Sequence, residues 1–347
     1  MNETTTFENL ANEILYEIFE YLDYFQCDET FANQNQRFRN LFINSTSPIK
    51  IHLGSITKSS FTTYYNNIIL PHAHRIQSVY LTNPFIIDIF LSSTSIIPKF
   101  LHLQTFIINS IPSSAMDNLF DNLSLLPNLS SLTIIFKFRL PNRNRLYEQI
   151  FRLSSLKYCK FSIQKSTYEE CLPFATNTFS SITHLIVDEE FRLDEFAPLL
   201  SNAPELHRLS IHELSNLYVG SEINLILPNQ LTHVYLNLGR VYFDQFEPVI
   251  KYVLHHVQVL HLSTPADKSY LDANRWETLI PLYMPHLRIF DLQQHIHTQR
   301  MHGAIYLKLL EKFQSSFWFE RQWFFAYHMR ESENYCELFI YSIDPYR

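Results

Sequence analysis

Glycine is scarce in this chain of 347 residues, which contains only four of them. Loops that hold nucleotide phosphates need several glycines close together, because the backbone must approach the phosphate groups closely. The sequence contains no Gly-x-Gly-x-x-Gly, no Walker loop and no Gly-x-Ser-x-Gly nucleophile motif. These absences argue against the common nucleotide-binding and hydrolase sites, and we predict that the chain is not an enzyme.

Cysteine is as rare as glycine. None of the four cysteines forms a Cys-x-x-Cys pair, so neither a disulfide framework nor a zinc finger is expected. The 16 histidines include two His-x-His pairs, which begin at His72 and His295 and are close in number to chance. No His-Glu-x-x-His motif accompanies them. We therefore predict no metal site and no cofactor.

Charged residues make up only 18% of the chain, and their balance gives a formal net charge of −7. Such a chain has no electrostatic reason to bind nucleic acid or an anionic membrane surface. Its longest apolar run, near residues 84–91, is interrupted by Asp88 and is too short to span a membrane. The first residues lack the basic and apolar regions of a signal peptide, so we expect the cytoplasm, the nucleus or both.

Hydrophobic residues, in contrast, are plentiful at 46%, and 29 of them are Phe. A chain of this length is too long for one compact core and suits a small domain joined to an elongated one. A short pattern, apolar-x-x-apolar-x-apolar, recurs along most of the chain. The nine copies begin at positions 76, 103, 129, 156, 182, 206, 231, 257 and 287, at spacings of 24 to 30 residues.

Each copy of this pattern reads as a short strand, because its last two apolar positions are two apart and share one face. The segments between copies show helical spacing, as at Phe246, Val249 and Ile250. Ser113 is expected to cap a helix that contains Met116. Strands that alternate with helices predict an α/β fold with a parallel sheet.

The period resembles that of leucine-rich repeats, in which each unit holds one strand and one helix. The Asn or Cys that commoner repeats place after the strand is absent, so the chain is similar to the irregular intracellular kind. This resemblance implies a right-handed solenoid with a curved parallel sheet and helices outside. We expect about nine repeats over residues 76–312, after a connector or N-terminal cap over 46–75 and before a C-terminal cap over 313–347.

The C-terminal cap has the pattern of a β-hairpin. Trp323, Phe325 and Tyr327 alternate before a polar turn at residues 331–334, and an alternating segment follows the turn. We expect the aromatic residues 317–319 to pack beneath this hairpin rather than to form a ligand pocket.

Residues 7–42 do not follow the repeat. Asn12 is a possible N-cap for a helix that would place several apolar side chains on one face. A short second helix and a third helix near residues 38–42 would complete a three-helix unit within residues 1–45. The apolar face of the first helix comprises Ile14, Leu15, Ile18, Phe19 and Leu22.

This N-terminal segment resembles the F-box family, whose usual opening is Leu-Pro-x-Glu-Ile-Leu-x-x-Ile-Phe-x-Tyr-Leu. In this sequence Ala11 replaces the family's Pro, and Phe38 stands at the position of a later Trp. Gln34 and Asn35 are a weaker match for an apolar-Cys pair before that Trp. The matching residues are Leu10, Glu13, Ile14, Leu15, Ile18, Phe19, Tyr21 and Leu22.

F-boxes dock on the Skp linker subunit of the Skp–cullin–F-box ubiquitin ligase and leave the downstream domain to hold a protein substrate. The resemblance therefore implies an adaptor that reaches a cullin–RING ligase through the Skp linker. The alternative is a leucine-rich-repeat scaffold or inhibitor unconnected to ubiquitin, whose N-terminal helices serve only as a cap. The residues expected to bind the Skp linker are Leu10, Glu13, Ile14, Leu15, Ile18, Phe19 and Leu22.

A substrate surface is predicted from the strand positions that flank the buried apolar residues, because these must face the concave side. Tyr and Arg are among the side chains most enriched at interface hot spots. An ordinary solvated polar face is the open alternative. The residues proposed to bind the substrate are His184, Arg208, His212, His233, Tyr235 and His261.

Overall fold

A computed structural model describes residues 7–21, 30–31, 35–44, 48–54, 56–92, 96–137, 139–140, 142–163, 171–173, 179–215 and 230–343. The fold is mixed α/β, with mostly parallel strands that alternate with helices. The chain divides into two compact units, Met1–Leu140 and Pro141–Arg347, so the division falls inside the predicted repeat region. Every helix in the described ranges is too short or too polar to cross a membrane.

In the described residues, the first unit begins with α-helices on either side of residues 22–34 and continues with strands that pair in chain order. The predicted short second helix of the N-terminal segment lies largely outside the described residues. The strands are parallel, and each pairs with the next one along the chain. Its helices are α1 (Asn12–Tyr21), α2 (Gln36–Asn44), α3 (Lys58–Tyr64), α4 (Pro84–Ser92) and α5 (Met116–Leu123). Its strands are β1 (Ile49–Leu53), β2 (Ile76–Leu81), β3 (Thr105–Ile111) and β4 (Ser131–Phe136).

The described residues of the second unit form eight strands. Strands β5 to β10 are parallel in chain order, and β12 pairs antiparallel with both β10 and β11. The strands are β5 (Tyr158–Ser162), β6 (His184–Arg192), β7 (Arg208–Ser215), β8 (His233–Asn237), β9 (Val259–Thr264), β10 (Ile289–Gln299), β11 (Phe324–Glu331) and β12 (Tyr335–Ile343). The helices are α6 (Arg143–Phe151), α7 (Phe196–Asn202), α8 (Phe243–Tyr252), α9 (Ala273–Tyr283), α10 (Arg300–Leu310) and α11 (Ser316–Glu320).

The apolar pattern forms strands because it aligns apolar residues across neighbouring chains. Each of the parallel strands β5 to β10 places its middle apolar residue beside that of the next strand. These side chains are fully buried, so each repeat completes the core of its neighbour. The aligned residues are Cys159, Leu185, Leu209, Val234, Leu260 and Phe290. All nine predicted strands are thus confirmed.

Three sequence predictions need correction. The segment 46–75 contains a further strand, β1, which pairs with β2 and extends the strand–helix alternation upstream. Ser113 does not cap α5, because a 3-10 turn (Ser113–Ala115) precedes the helix and places Ala115 at the N-cap. Asn12 is the first residue of α1, and its side chain accepts hydrogen bonds from Arg37 instead of capping the helix.

The predicted C-terminal hairpin is present as β11 and β12. Because β12 pairs with β10, the hairpin occupies the edge of the last parallel strand. Trp318 is fully buried, and its ring packs against Phe290, Phe313 and Phe325, whereas the neighbouring Phe319 is 71% exposed. The aromatic residues 317–319 therefore contribute mainly one core side chain.

A buried ionic cluster lies in the second unit, at the start of α6 and the end of β6. Arg143 pairs with Glu195 and lies 3.6 Å from Glu189, and Tyr147 donates a hydrogen bond of 2.7 Å to Glu189. Burial and the adjacent Glu189 raise the pKa of Tyr147, so its hydroxyl stays protonated and remains a donor. One guanidinium thus pairs with the buried Glu195 and lies beside the buried Glu189.

Candidate functional site

Helix α1 carries most of the residues predicted to bind the Skp linker. Leu10 and Ile18 are half-buried, Glu13 is exposed, and Ile14 is 45% exposed. Leu15 is fully buried, so it offers no surface to a partner and its predicted contact role is corrected. The Phe19 side chain and all of Leu22 lie outside the described residues, as does Gln34. The segment that the structure describes therefore presents Ile14 as its most exposed large apolar side chain.

Leu15 is buried because α2 covers it. Leu15 forms a small cluster with Phe38 and Leu41 of α2, and partly buried side chains surround that cluster. Phe38, at the position of the F-box family's Trp, lies 5.7 Å from Phe7 and 5.9 Å from Phe31, measured between ring centroids. An aromatic side chain at this position thus joins the first and last helices of the segment.

Arg37 also ties α2 to the start of α1, a role that the sequence did not indicate. Its guanidinium donates to the carbonyl oxygens of Glu8 at 2.5 Å and Leu10 at 2.6 Å. It also donates to the side-chain oxygen of Asn12 at 2.7 Å. These bonds fix the chain that enters α1, where Ala11 lacks the restricted backbone of proline.

The residues predicted to bind a substrate belong to the second unit and lie on adjacent strands. We call His184, Arg208, His212, His233, Tyr235 and His261 the polar stripe. His184, Arg208 and His233 form one row, because the strand register places them side by side on β6, β7 and β8. Their neighbours along each strand are buried, so the stripe occupies the open face of the sheet.

Tyr235 and His261 form a second row, which continues to Asp291 on β10. The two rings lie 5.7 Å apart, and His261 Nδ1 donates a 2.6 Å hydrogen bond to Asp291 Oδ2. Asp291 is only 4% exposed, so this contact fixes the His261 ring from below the surface. The sequence analysis did not select Asp291, which lies 30 residues from His261.

His212 lies further along β7 and pairs with Asp188, at 3.2 Å between Nδ1 and Oδ1. At the other end of the first row, the Tyr158 ring packs edge-on against His184 at 4.9 Å. Strand alternation in the sequence already predicts that Asp188 and Tyr158 share this face, although neither is among the residues proposed to bind the substrate. The structure places each of them beside a histidine of the stripe.

The electrostatics of the first row centre on Arg208. Burial lowers the pKa of His184, and the adjacent positive charge of Arg208 lowers it further. Burial and Arg208 also lower the pKa of His233. Both imidazoles are therefore neutral near pH 7, and Arg208 is the permanent cation of the row.

In the ranges that the structure describes, no three His, Cys, Asp or Glu side chains converge as metal ligands. What the stripe offers is a guanidinium, imidazoles and aromatic rings, which suit recognition of a partner.

Comparison with known proteins leaves the family open: no protein-family model matches the chain, and no curated protein is similar to it in sequence.

Proposed function

We propose that the protein is a substrate-recognition adaptor of a Skp–cullin–F-box ubiquitin ligase. Its N-terminal helices dock on the Skp linker, and a leucine-rich-repeat solenoid presents the polar stripe to a target protein. Ubiquitin transfer belongs to the cullin–RING ligase, so the adaptor needs no catalytic residues of its own.

The observation that carries the proposal is the unequal burial of the apolar residues of α1. Leu15 is covered by α2, whereas Ile14 stays 45% exposed beside Glu13, and Leu10 and Ile18 are half-covered. Ile14 is the kind of side chain that a partner helix covers, and Glu13 lies at the rim of that surface. This exposed set coincides with the positions through which the F-box resemblance implies linker contact.

The repeat arrangement supports the second half of the proposal. Strands that pair in chain order, with helical segments between most of them and a spacing of about 26 residues, are typical of leucine-rich repeats. Solenoids bind partners through the side chains of neighbouring repeats, because one residue per repeat builds a continuous row. The polar stripe has that form.

Binding to the Skp linker is the direct test. Purified full-length chain and Skp linker protein would be mixed and their affinity measured by calorimetry, for the wild type and for Ile14→Asp. We expect binding by the wild type and a loss of at least tenfold in the variant, because a charge would enter an apolar contact.

Leu125→Asp is the matched control, because Leu125 is 62% exposed and lies outside the N-terminal segment. This variant should bind the linker as the wild type does. If a folded wild-type chain shows no binding, the adaptor function is wrong.

A scaffold or inhibitor unconnected to ubiquitin is the second candidate. The packing of Phe7, Phe31 and Phe38 around Leu15 favours it, because the segment partly closes its own core and could serve as a cap. Under this function the chain would still bind a protein through the polar stripe but would ignore the Skp linker.

A further inference from the structure

The polar stripe contains a permanent cation, Arg208, in a chain whose net charge is −7. Lys160 of β5 lies on the same open face, and Arg192 at the end of β6 pairs with Asp194. Within the described residues, neither Lys160 nor Arg208 forms an ion pair or a side-chain hydrogen bond. An anionic group of a partner that loses its water on binding would therefore contact two cations that are not already paired.

The two acids that pair with histidines of the polar stripe lie away from Arg208. Asp188 pairs with His212 and lies roughly 13 Å from Arg208 along the strands, at about 3.3 Å per residue. Asp291 pairs with His261, three strands and roughly 14 Å away. Both acids are thus engaged by imidazoles, and Arg208 keeps its charge.

The surroundings of Arg208 suit a planar or tetrahedral anion. His184 and His233 flank it in the register, and their rings can donate hydrogen bonds to the same acceptor. The Tyr158 ring packs against His184 and limits its movement. A guanidinium between two imidazoles can bind a carboxylate or a phosphate through two parallel hydrogen bonds.

We infer that the polar stripe, together with Lys160 of β5, binds an acidic segment of a partner protein, with Arg208 as the main anion ligand and Lys160 as the second. This inference rests on the proposed function insofar as the partner is a ligase substrate. The anion is a carboxylate or a phosphate, which share this chemistry.

The register also sets the spacing of the anions. Lys160 and Arg208 lie two strands apart and two residues apart along the strands, which amounts to roughly 12 Å between their backbones. An extended peptide advances about 3.3 Å per residue, so two anionic side chains about three or four residues apart would reach both cations. Nucleic acid fits less well, because it requires many cations along its backbone and would be repelled by an acidic chain.

Arrays of synthetic peptides provide the probe. Each peptide carries two Glu, two phosphoserines or two Gln, at separations of two to eight residues in several neutral backgrounds. The full-length chain is applied, and the strongest peptides are then titrated in solution by fluorescence anisotropy. We expect the Glu or phosphoserine peptides to bind best at separations of three or four, and the comparison of these two sets identifies the anion.

Arg208→Ala should weaken the binding of these peptides by about tenfold or more, because it removes charge-assisted hydrogen bonds. Arg208→Lys keeps the positive charge but loses the planar guanidinium, so its peptide affinity should lie between that of the wild type and that of Arg208→Ala. Arg240→Ala is the matched control, since Arg240 is an exposed arginine that follows β8 outside the rows. It should bind as the wild type does.

Three results would overturn the inference: anionic peptides that bind no better than the Gln peptides, equal losses in the two alanine variants, or tighter binding of a DNA oligonucleotide of matched charge. The Ile14→Asp variant separates this test from the adaptor proposal. It should bind the peptides normally while it loses the Skp linker, so each proposal can fail alone.

Discussion

The N-terminal helical segment and the strand–helix repeats bury their apolar residues in different ways. Across the described part of residues 7–44, only Leu15, Phe38 and Leu41 are buried, and they form one small cluster. In the second unit each strand from β5 to β10 contributes at least two buried residues, which lie beside those of the next strand. A small helical piece gains its burial from a few contacts, whereas a repeat gains it from its neighbours on both sides.

This difference suggests that most of the burial that stabilises the fold lies in the repeats, whereas the N-terminal segment keeps apolar surface for a partner. In the second unit the parallel strands bury apolar residues against one another, and the hairpin of β11 and β12 covers the edge of β10. The N-terminal segment leaves Ile14 exposed, and a partner that covered it would supply burial that the segment lacks.

The largest expected effect is on the closed end of the repeats. Trp318→Ala removes a fully buried ring from the cluster around Phe290, and we expect a loss of about 3–5 kcal/mol in the free energy of unfolding. Phe319→Ala is the control, because that ring is 71% exposed and should cost within about 0.5 kcal/mol. Denaturant unfolding of both variants measures the difference, and similar losses would contradict the assigned packing.

The next test concerns buried charge, which distinguishes the two regions because no charged side chain is buried in the described part of residues 7–44. Arg143→Met removes a buried cation from beside Glu189 and Glu195, which should cost about 3–5 kcal/mol. Lys157→Met removes a pair with Glu205 in which both side chains are about half exposed, and it should cost no more than about 1 kcal/mol. Equal losses in denaturant unfolding would show that the cluster is not an effective ion pair.

Acid should weaken the repeats and spare the N-terminal segment, which contains no histidine in residues 1–45. The pKa values of His184 and His233 lie below the ordinary 6.5 in the folded chain, so unfolding takes up protons as the pH falls through that value. The free energy of unfolding should therefore decrease between about pH 7.5 and about 5.5, by less than the Arg143→Met loss.

The double variant His184→Gln/His233→Gln is the control for this pH effect. Its free energy of unfolding, followed across the same pH range, should depend less on pH than that of the wild type. An unchanged slope would mean that other groups take up the protons.

The smallest effect on the repeats should come from Leu15→Ala. The variant opens a cavity inside the N-terminal cluster, so amide hydrogens of α1 and α2 should exchange faster and Skp-linker binding should weaken. The melting temperature of the repeats should stay nearly unchanged. If the melting temperature fell as much as in Trp318→Ala, the N-terminal segment and the repeats would unfold together. The two regions would then not differ in stability as we propose.

The sequence alone determined the alternation of strands and helices. In each repeat the buried strand positions are two apolar residues two positions apart. This local pattern recurs along the chain, so it identified nine strands from the sequence. Strand β1 does not match this pattern, because Pro48 stands where the pattern requires its first apolar residue. The pairing of β1 with β2 is also irregular at its start, since the register shifts just after Ile49. A template built on a fixed spacing cannot find a strand that begins with a bulge.

Which of the predicted surface residues contact one another depends on the tertiary structure and could not be predicted from the sequence. The sequence placed His261 and Arg208 on one face, but the partnership of His261 with Asp291 depends on strand register across 30 residues. Likewise Leu15 and Ile14 are adjacent and equally apolar in sequence, and the position of α2 alone buries one and exposes the other. Local spacing fixes which face of an element is apolar, whereas contacts between distant segments fix which side chains remain available to a partner.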